Sequence, residues 1–144
     1  MCRSRVLLDG VEECRIAPAD GRVIGTHTCP AYVSPEILDS VRGGTAYDGR
    51  AADMWCLGVL LAAMLHGRYP FADLAPAVLF ARIHAVQYTF GAHVSPGARQ
   101  VVRALLWKVP EERLAAGQLM RLPWMANEMD GGGACKRARV GDWH

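Results

Sequence analysis

Little in this sequence ties it to a nucleic acid, a membrane or an oxidising compartment. Sixteen basic residues against fourteen acidic ones leave a formal net charge of +2, too small to draw a protein onto a phosphate backbone. No nucleic-acid partner is expected. The one basic cluster, Lys136, Arg137 and Arg139, reads either as a nuclear-import patch or as an ordinary solvated tail. Long apolar runs are missing as well. Met54 to Leu65 carries no charge but is only twelve residues long, short of the ~20 needed to cross a hydrocarbon core. Val6-Leu7-Leu8 is far shorter than a secretory h-region, so neither export nor a membrane partner is expected. Five cysteines (Cys2, Cys14, Cys29, Cys56 and Cys135) form no Cys-x-x-Cys pair. An odd count without that pair argues against both a disulfide framework and a zinc site. The expectation is a reducing compartment, cytoplasm and/or nucleus, and no metal.

What the chain does have is globular composition, 51% apolar and 21% charged over 144 residues, within the range of one domain. From Cys2 to Ile24 there is no helical periodicity, so strand and loop are expected, with Val6-Leu7-Leu8 a strand candidate and Ala17 to Gly21 a turn. Glu36 to Asp39 follows Pro35 as a short helix, broken at Gly43-Gly44. The main helix should run from near Gly49 to Gly67, where glycine takes the left-handed stop. Its apolar residues occupy every face, which calls for protein all round it. Ala77 to Val86 suits a short amphipathic helix. Ser95-Pro96 is an N-cap followed by an N1 proline, leading into the stripe Ala98, Val101, Val102, Leu105 and Leu106. A last helix is expected over Ala115 to Leu122, before Pro123-Trp124 and the Gly131-Gly-Gly133 run. The fold class is therefore mainly α.

Several landmarks then fall in one order. Thr28-Cys-Pro-Ala-Tyr-Val-Ser-Pro-Glu36 comes first, then Ala51-Ala-Asp-Met-Trp-Cys-Leu-Gly58, then Gly67-Arg-Tyr-Pro-Phe71, Arg113 and Pro123-Trp124. This order resembles the second half of a protein-kinase C-lobe, where a Gly-Thr-x-x-Tyr turn runs into Ala-Pro-Glu. Cys29 stands in the threonine position and Ser34 in the alanine position. With the Lys/Arg-Ala-Ala-Asp and Gly-Arg-Tyr-Pro-Phe stretches, these departures make residues 5–125 similar to the Tribbles family of pseudokinases. The resemblance implies the helical C-terminal lobe of the kinase fold, without an N-lobe or catalytic loop in this sequence. It divides the chain into 1–33, a remnant of the metal slot and activation segment; 34–126, the helical lobe; and 127–144, a disordered tail.

Two structural roles are carried over. The resemblance pairs Glu36 with Arg113 as a buried ion pair, an arrangement that tolerates burial only while both charges are present. It also aligns Asp53 with the aspartate that anchors the catalytic loop; a helix N-terminal carboxylate favoured by the dipole is the other reading of that residue.

The catalytic parts are tested by chemistry. Phosphoryl transfer needs an aspartate on magnesium, a base, an asparagine for the second metal and a lysine on the phosphates. Counting back from Cys29, the metal slot falls on Gly10-Val11-Glu12, and glycine cannot ligate. Asp9 is one residue out of register and faces the other way if this stretch is extended. No His-Arg-Asp loop, Gly-rich loop or Val-Ala-Ile-Lys strand occurs in the sequence. These 144 residues are expected to be non-catalytic and unable to bind ATP, with weak or absent binding in a longer protein. They read as a fragment or a truncated product. His27 and Cys29 form no recognisable nucleophile pair, since no third orienting group or oxyanion donor accompanies them.

The resemblance implies a scaffold that binds signalling proteins, regulating MAP kinase signalling and ubiquitin-dependent degradation. Its implied partners are a transcription factor substrate of the CCAAT/enhancer-binding type, a MAP kinase kinase and a ubiquitin ligase. Substrate docking is expected on the activation segment, at Cys29, Pro30, Tyr32 and Ser34. The family's ligase-binding Asp-Gln-x-Val-Pro motif does not occur after Met125, and Arg121 replaces a leucine, which counts against ligase recruitment. Two other readings remain: part of an active calmodulin-dependent-type serine/threonine kinase, and a fragment whose apolar helix lacks a packing partner and aggregates.

Overall fold

The computed structural model describes Leu7, Cys14 and residues 16–25 and 29–125. The metal slot Gly10-Val11-Glu12, Asp9, His27, Val6 and Leu8, and the tail with Lys136, Arg137 and Arg139 lie outside the described residues.

Among the described residues, five helices, two 3-10 turns and one two-stranded sheet make up the order of elements. Strand β1 (Arg22–Val23) pairs antiparallel with β2 (Tyr47–Asp48), Arg22 opposite Asp48 and Val23 opposite Tyr47. Between them lie a 3-10 turn, Pro30–Tyr32, and helix α1, Pro35–Gly43. Proline at N1 starts α1, and Gly44 ends it in the left-handed region at φ 65°, so the helix extends past the expected Asp39 to the glycine pair. Helix α2 (Gly49–His66) follows directly from β2. Asp48 caps it, its Oδ1 accepting from the backbone N–H of Arg50 at 2.9 Å and Ala51 at 3.3 Å. Gly67, at φ 71°, stops it and donates its N–H to Ala63.

Helix α4 (Pro96–Leu105) packs against this axis, and helix α3 (Pro76–His84) packs against α1. Ser95 caps α4 with Pro96 at N1, and the amphipathic stripe Ala98, Val101, Val102 and Leu105 is buried. A second 3-10 turn, Pro110–Glu112, precedes helix α5, which spans only Ala116–Leu119. That is shorter than the expected Ala115 to Leu122, because the chain turns at Met120 and Arg121. After α3, Val86 adopts φ 50°, an uncommon backbone state for a β-branched residue.

The core forms where α2 meets its neighbours. Trp55, Val59 and Ala62 of α2 bury against Ile37, Phe71, Ile83, Val102 and Leu106. Each valine, leucine, isoleucine or phenylalanine side chain so removed from water contributes about 1.5–3 kcal/mol. The Trp55 and Phe71 rings stack with centroids 5.5 Å apart and planes 5° apart. Gly58 lets α4 come close, since a Cβ there would lie 2.8 Å from Leu105 Cβ.

One expectation is corrected. The apolar-all-round helix is enclosed on one side only: Ala52, Trp55, Gly58, Val59 and Ala62 are buried, whereas Leu57, Leu60 and Met64 are exposed. Spaced i, i+3, i+7, these three line one flank of α2. Among the described residues no element covers them. No helix among the described residues is long and apolar enough to cross a membrane.

Candidate functional site

The end of the activation-segment motif is held at its base by a buried charge pair. Glu36 lies in the first turn of α1, and Arg113 follows the second 3-10 turn. Arg113 Nη1 and Nη2 donate to Glu36 Oε1 and Oε2 at 2.8 and 3.1 Å. The fork geometry of guanidinium matches a carboxylate in this two-point fashion. Arg113 also donates to the carbonyls of Ala51, at 2.5 Å, and Trp107, at 2.9 and 3.1 Å. Its guanidinium carbon sits 5.2 Å from the Trp55 ring. One arginine thus ties α1, α2 and the stretch after α4 together.

The four residues expected to dock a partner are not equally accessible. Cys29 and Pro30 are exposed, Tyr32 is half-buried, and Ser34 is fully buried as the N-cap residue of α1, withdrawn from any partner's reach. The Ser34 hydroxyl makes no capping bond, and its Oγ has no partner among the described residues.

Tyr32 is fixed from two sides. Its carbonyl accepts from the Cys56 thiol at 3.5 Å, and its ring meets that of Tyr69 edge-on, with centroids 5.6 Å apart. Burial, followed by the hydrogen bond and charge of Tyr69, pushes the Tyr32 phenol above its ordinary range. Burial, then the charges of Asp53 and Glu36, push the Cys56 thiol up to about 11. A thiol so shifted is a structural donor and not a nucleophile. Asp53 occupies an exposed position in the first part of α2, while Asp48, which sequence reasoning missed, performs the capping. The signal for Asp48 was present: an aspartate directly before the helix start.

Tyr69, quoted as a landmark but not as a site residue, extends the surface from Tyr32. It lines an open cavity of about 600 Å³ together with His66, Arg68, Pro70, Arg82 and Tyr88. Arg82 is engaged there, pairing with Asp73 at 3.3 Å and donating to the Ala72 carbonyl at 2.9 Å. Burial, then the neighbouring charges of His93, Arg68 and Arg99, hold the His66 imidazole below its usual range. Among the described residues no group of three or more His, Cys, Asp or Glu side chains is placed to hold a metal ion.

The protein kinase domain model matches residues 19–125, from the turn before β1 to just past α5. The chain belongs to the protein kinase domain family. Within it, the chain is 44% identical over 131 residues to Tribbles homolog 1 of Mus musculus, covering 90% of this chain and 34% of that protein. It is 41% identical over 127 residues to Tribbles homolog 2 of Bos taurus, covering 88% of this chain and 36% of that protein. To Tribbles homolog 3 of Homo sapiens it is 42% identical over 127 residues, covering 88% of this chain and 35% of that protein. The chain spans about a third of the length of the curated relatives it matches. The mainly helical arrangement is that of a kinase-fold fragment similar to Tribbles proteins.

Proposed function

We propose that this chain acts as a non-catalytic docking module of Tribbles type. A partner protein binds on the surface formed by Cys29, Pro30, Tyr32 and Tyr69. The observation that carries this reading is the two-point Glu36–Arg113 pair, which holds the base of the segment rigid while its tip stays open to solvent. A preformed binding edge costs less ordering entropy on association than a mobile one. The 41–44% identity to Tribbles homologs supports assigning the module to scaffolding. Transcription factors of the CCAAT/enhancer-binding type and MAP kinase kinases, in the cytoplasm or nucleus, are the partners this reading names. Ubiquitin-ligase recruitment would need a tail motif that the sequence after Met125 does not contain.

The test is binding of these two partner classes to the chain by isothermal titration calorimetry, alongside Tyr32→Ala and Tyr69→Ala. An aromatic anchor lost from a docking edge should weaken binding roughly tenfold or more. Partner affinity unchanged in both variants would overturn the placement of the surface. Magnesium-dependent phosphotransfer from ATP by the longest natural form of the protein would overturn the non-catalytic reading.

A further inference from the structure

Between α3 and α4 the strap Val86–Phe90 separates two open cavities. The one on the α4 side measures about 430 Å³ and is lined by Val86, Tyr88, Phe90, Arg103, Leu106 and Trp107, with Arg99 beside them. Its floor is aromatic and its wall is basic. Arg99 and Arg103 place their guanidinium carbons 5.9 and 5.4 Å from the Phe90 ring centre.

The two arginines play different parts. Arg99 donates to the carbonyls of Val94 at 2.8 Å and Gly91 at 3.0 Å, which fixes the loop after the strap. Those bonds engage its Nε and Nη2 with neutral carbonyls, which do not offset its charge. Arg103, exposed on α4, makes no ion pair or hydrogen bond among the described residues and is held by the Phe90 face. Glu112 accepts from the indole N–H of Trp107, which lines this cavity. Across the strap, the larger cavity adds Arg68 and Arg82, of which, among the described residues, Arg82 alone has an acidic partner, Asp73. The residues lining both cavities thus include two arginines on each side of the strap and no carboxylate.

We propose that this cleft docks an acidic peptide segment of a partner protein, its carboxylates meeting Arg103 and an apolar side chain resting on Phe90. Such a surface goes beyond the activation-segment edge and needs none of that edge's residues. Charge decides the occupant. Neither end of this chain outside the described residues is net acidic: Arg3, Arg5 and Arg15 offset Asp9, Glu12 and Glu13, and Lys136, Arg137 and Arg139 offset Glu128, Asp130 and Asp142. A nucleic acid is disfavoured because the whole chain carries a formal charge of only +2. Apolar contact plus a few carboxylates suits two guanidiniums flanking a phenyl ring.

The experiment is fluorescence anisotropy on the full chain with the labelled peptide Glu-Asp-Glu-Leu-Glu-Asp-Glu, its Gln/Asn counterpart and a single-stranded oligothymidine. The acidic peptide should bind in preference to both others and weaken as salt rises, since exposed charge pairs are screened. Arg103→Glu should raise its Kd by roughly fivefold or more, and Arg103→Gln by less. Arg42→Glu, which makes the same charge change on the exposed end of α1, should leave it unchanged. Melting curves for both Arg103 variants separate lost folding from lost binding. Tyr32→Ala should also leave it unchanged, so failure here and failure of the activation-segment reading are distinguishable. Equal binding of the neutral peptide, tighter binding of the oligothymidine, or equal losses in the Arg42 and Arg103 reversals would overturn the proposal.

Discussion

Arg113 reaches across 77 positions of sequence to close both Nη atoms on the carboxylate of Glu36. With side chains 0% and 11% exposed, neither charge can fall back on water if its partner is removed. Glu36→Ala and Arg113→Ala should each lower unfolding free energy by about 3–5 kcal/mol, as breaking one side of a buried pair does. Arg113→Ala should cost the more, because it also empties the carbonyls of Ala51 and Trp107. Urea denaturation of the two single variants and the double variant checks this; additive losses would show that the residues do not act as a pair.

Two glycines should respond in opposite directions. Gly58→Ala improves helix propensity by about 1 kcal/mol. It also drives a Cβ to within 2.8 Å of Leu105 Cβ and 2.9 Å of Leu106 Cδ2, where something must shift. Overpacking of this kind costs about 1–3 kcal/mol, so a net loss is expected. Gly117→Ala in α5 meets nothing within 4 Å and should stabilise by about 0.5–1 kcal/mol. Thermal melts of both variants suffice.

The His66 ring supplies a pH dependence. Burial and nearby cations depress its folded-state pKa, so below the ordinary imidazole range the unfolded chain binds a proton that the folded chain refuses. The contribution to stability is present in full above the unfolded pKa and is lost as pH falls from there through the depressed folded pKa. Denaturant midpoints should drop between pH 7 and pH 5, and His66→Gln should flatten that slope. An unchanged slope in the variant would assign it to other groups.

Thiol reactivity should sort the cysteines. Cys29 is exposed, whereas Cys56 is partly buried, bonded to the Tyr32 carbonyl and pushed up to about 11. At pH 8 only about a thousandth of Cys56 is thiolate. Iodoacetamide followed by peptide mass spectrometry should find Cys29 modified long before Cys56. Comparable rates would mean that the Tyr32–Cys56 contact opens readily.

What the sequence made legible follows the range of the forces involved. Both ends of α2 and the start of α4 are written locally, by Gly49, Gly67, Ser95 and Pro96, and they fall where expected. The break at Gly43-Gly44 was legible, but the turn of α1 between Asp39 and that pair and the shortening of α5 were missed, because neither Ser40-Val41-Arg42 nor Met120-Arg121 carries a strong local signal. The Glu36–Arg113 connection came from the family resemblance, since no local signal spans that separation. The Tyr32–Tyr69 contact and the arginines around Phe90 depend on how loops meet, which periodicity does not encode.

The open flank of α2 should make the chain's apparent stability a function of its concentration. Leu57, Leu60 and Met64 present a ridge that any apolar surface, including a second copy, can cover, and such association favours the folded form by mass action. Melting temperature and oligomer size should therefore rise together on concentrating the protein, and replacing Leu60 and Met64 by lysine should uncouple them. A single cooperative melt of a monomer, independent of concentration, would show that the ridge is inert. Helix α2 is in this sense unsaturated: its inner face completes one fold, while its outer face holds an open valence.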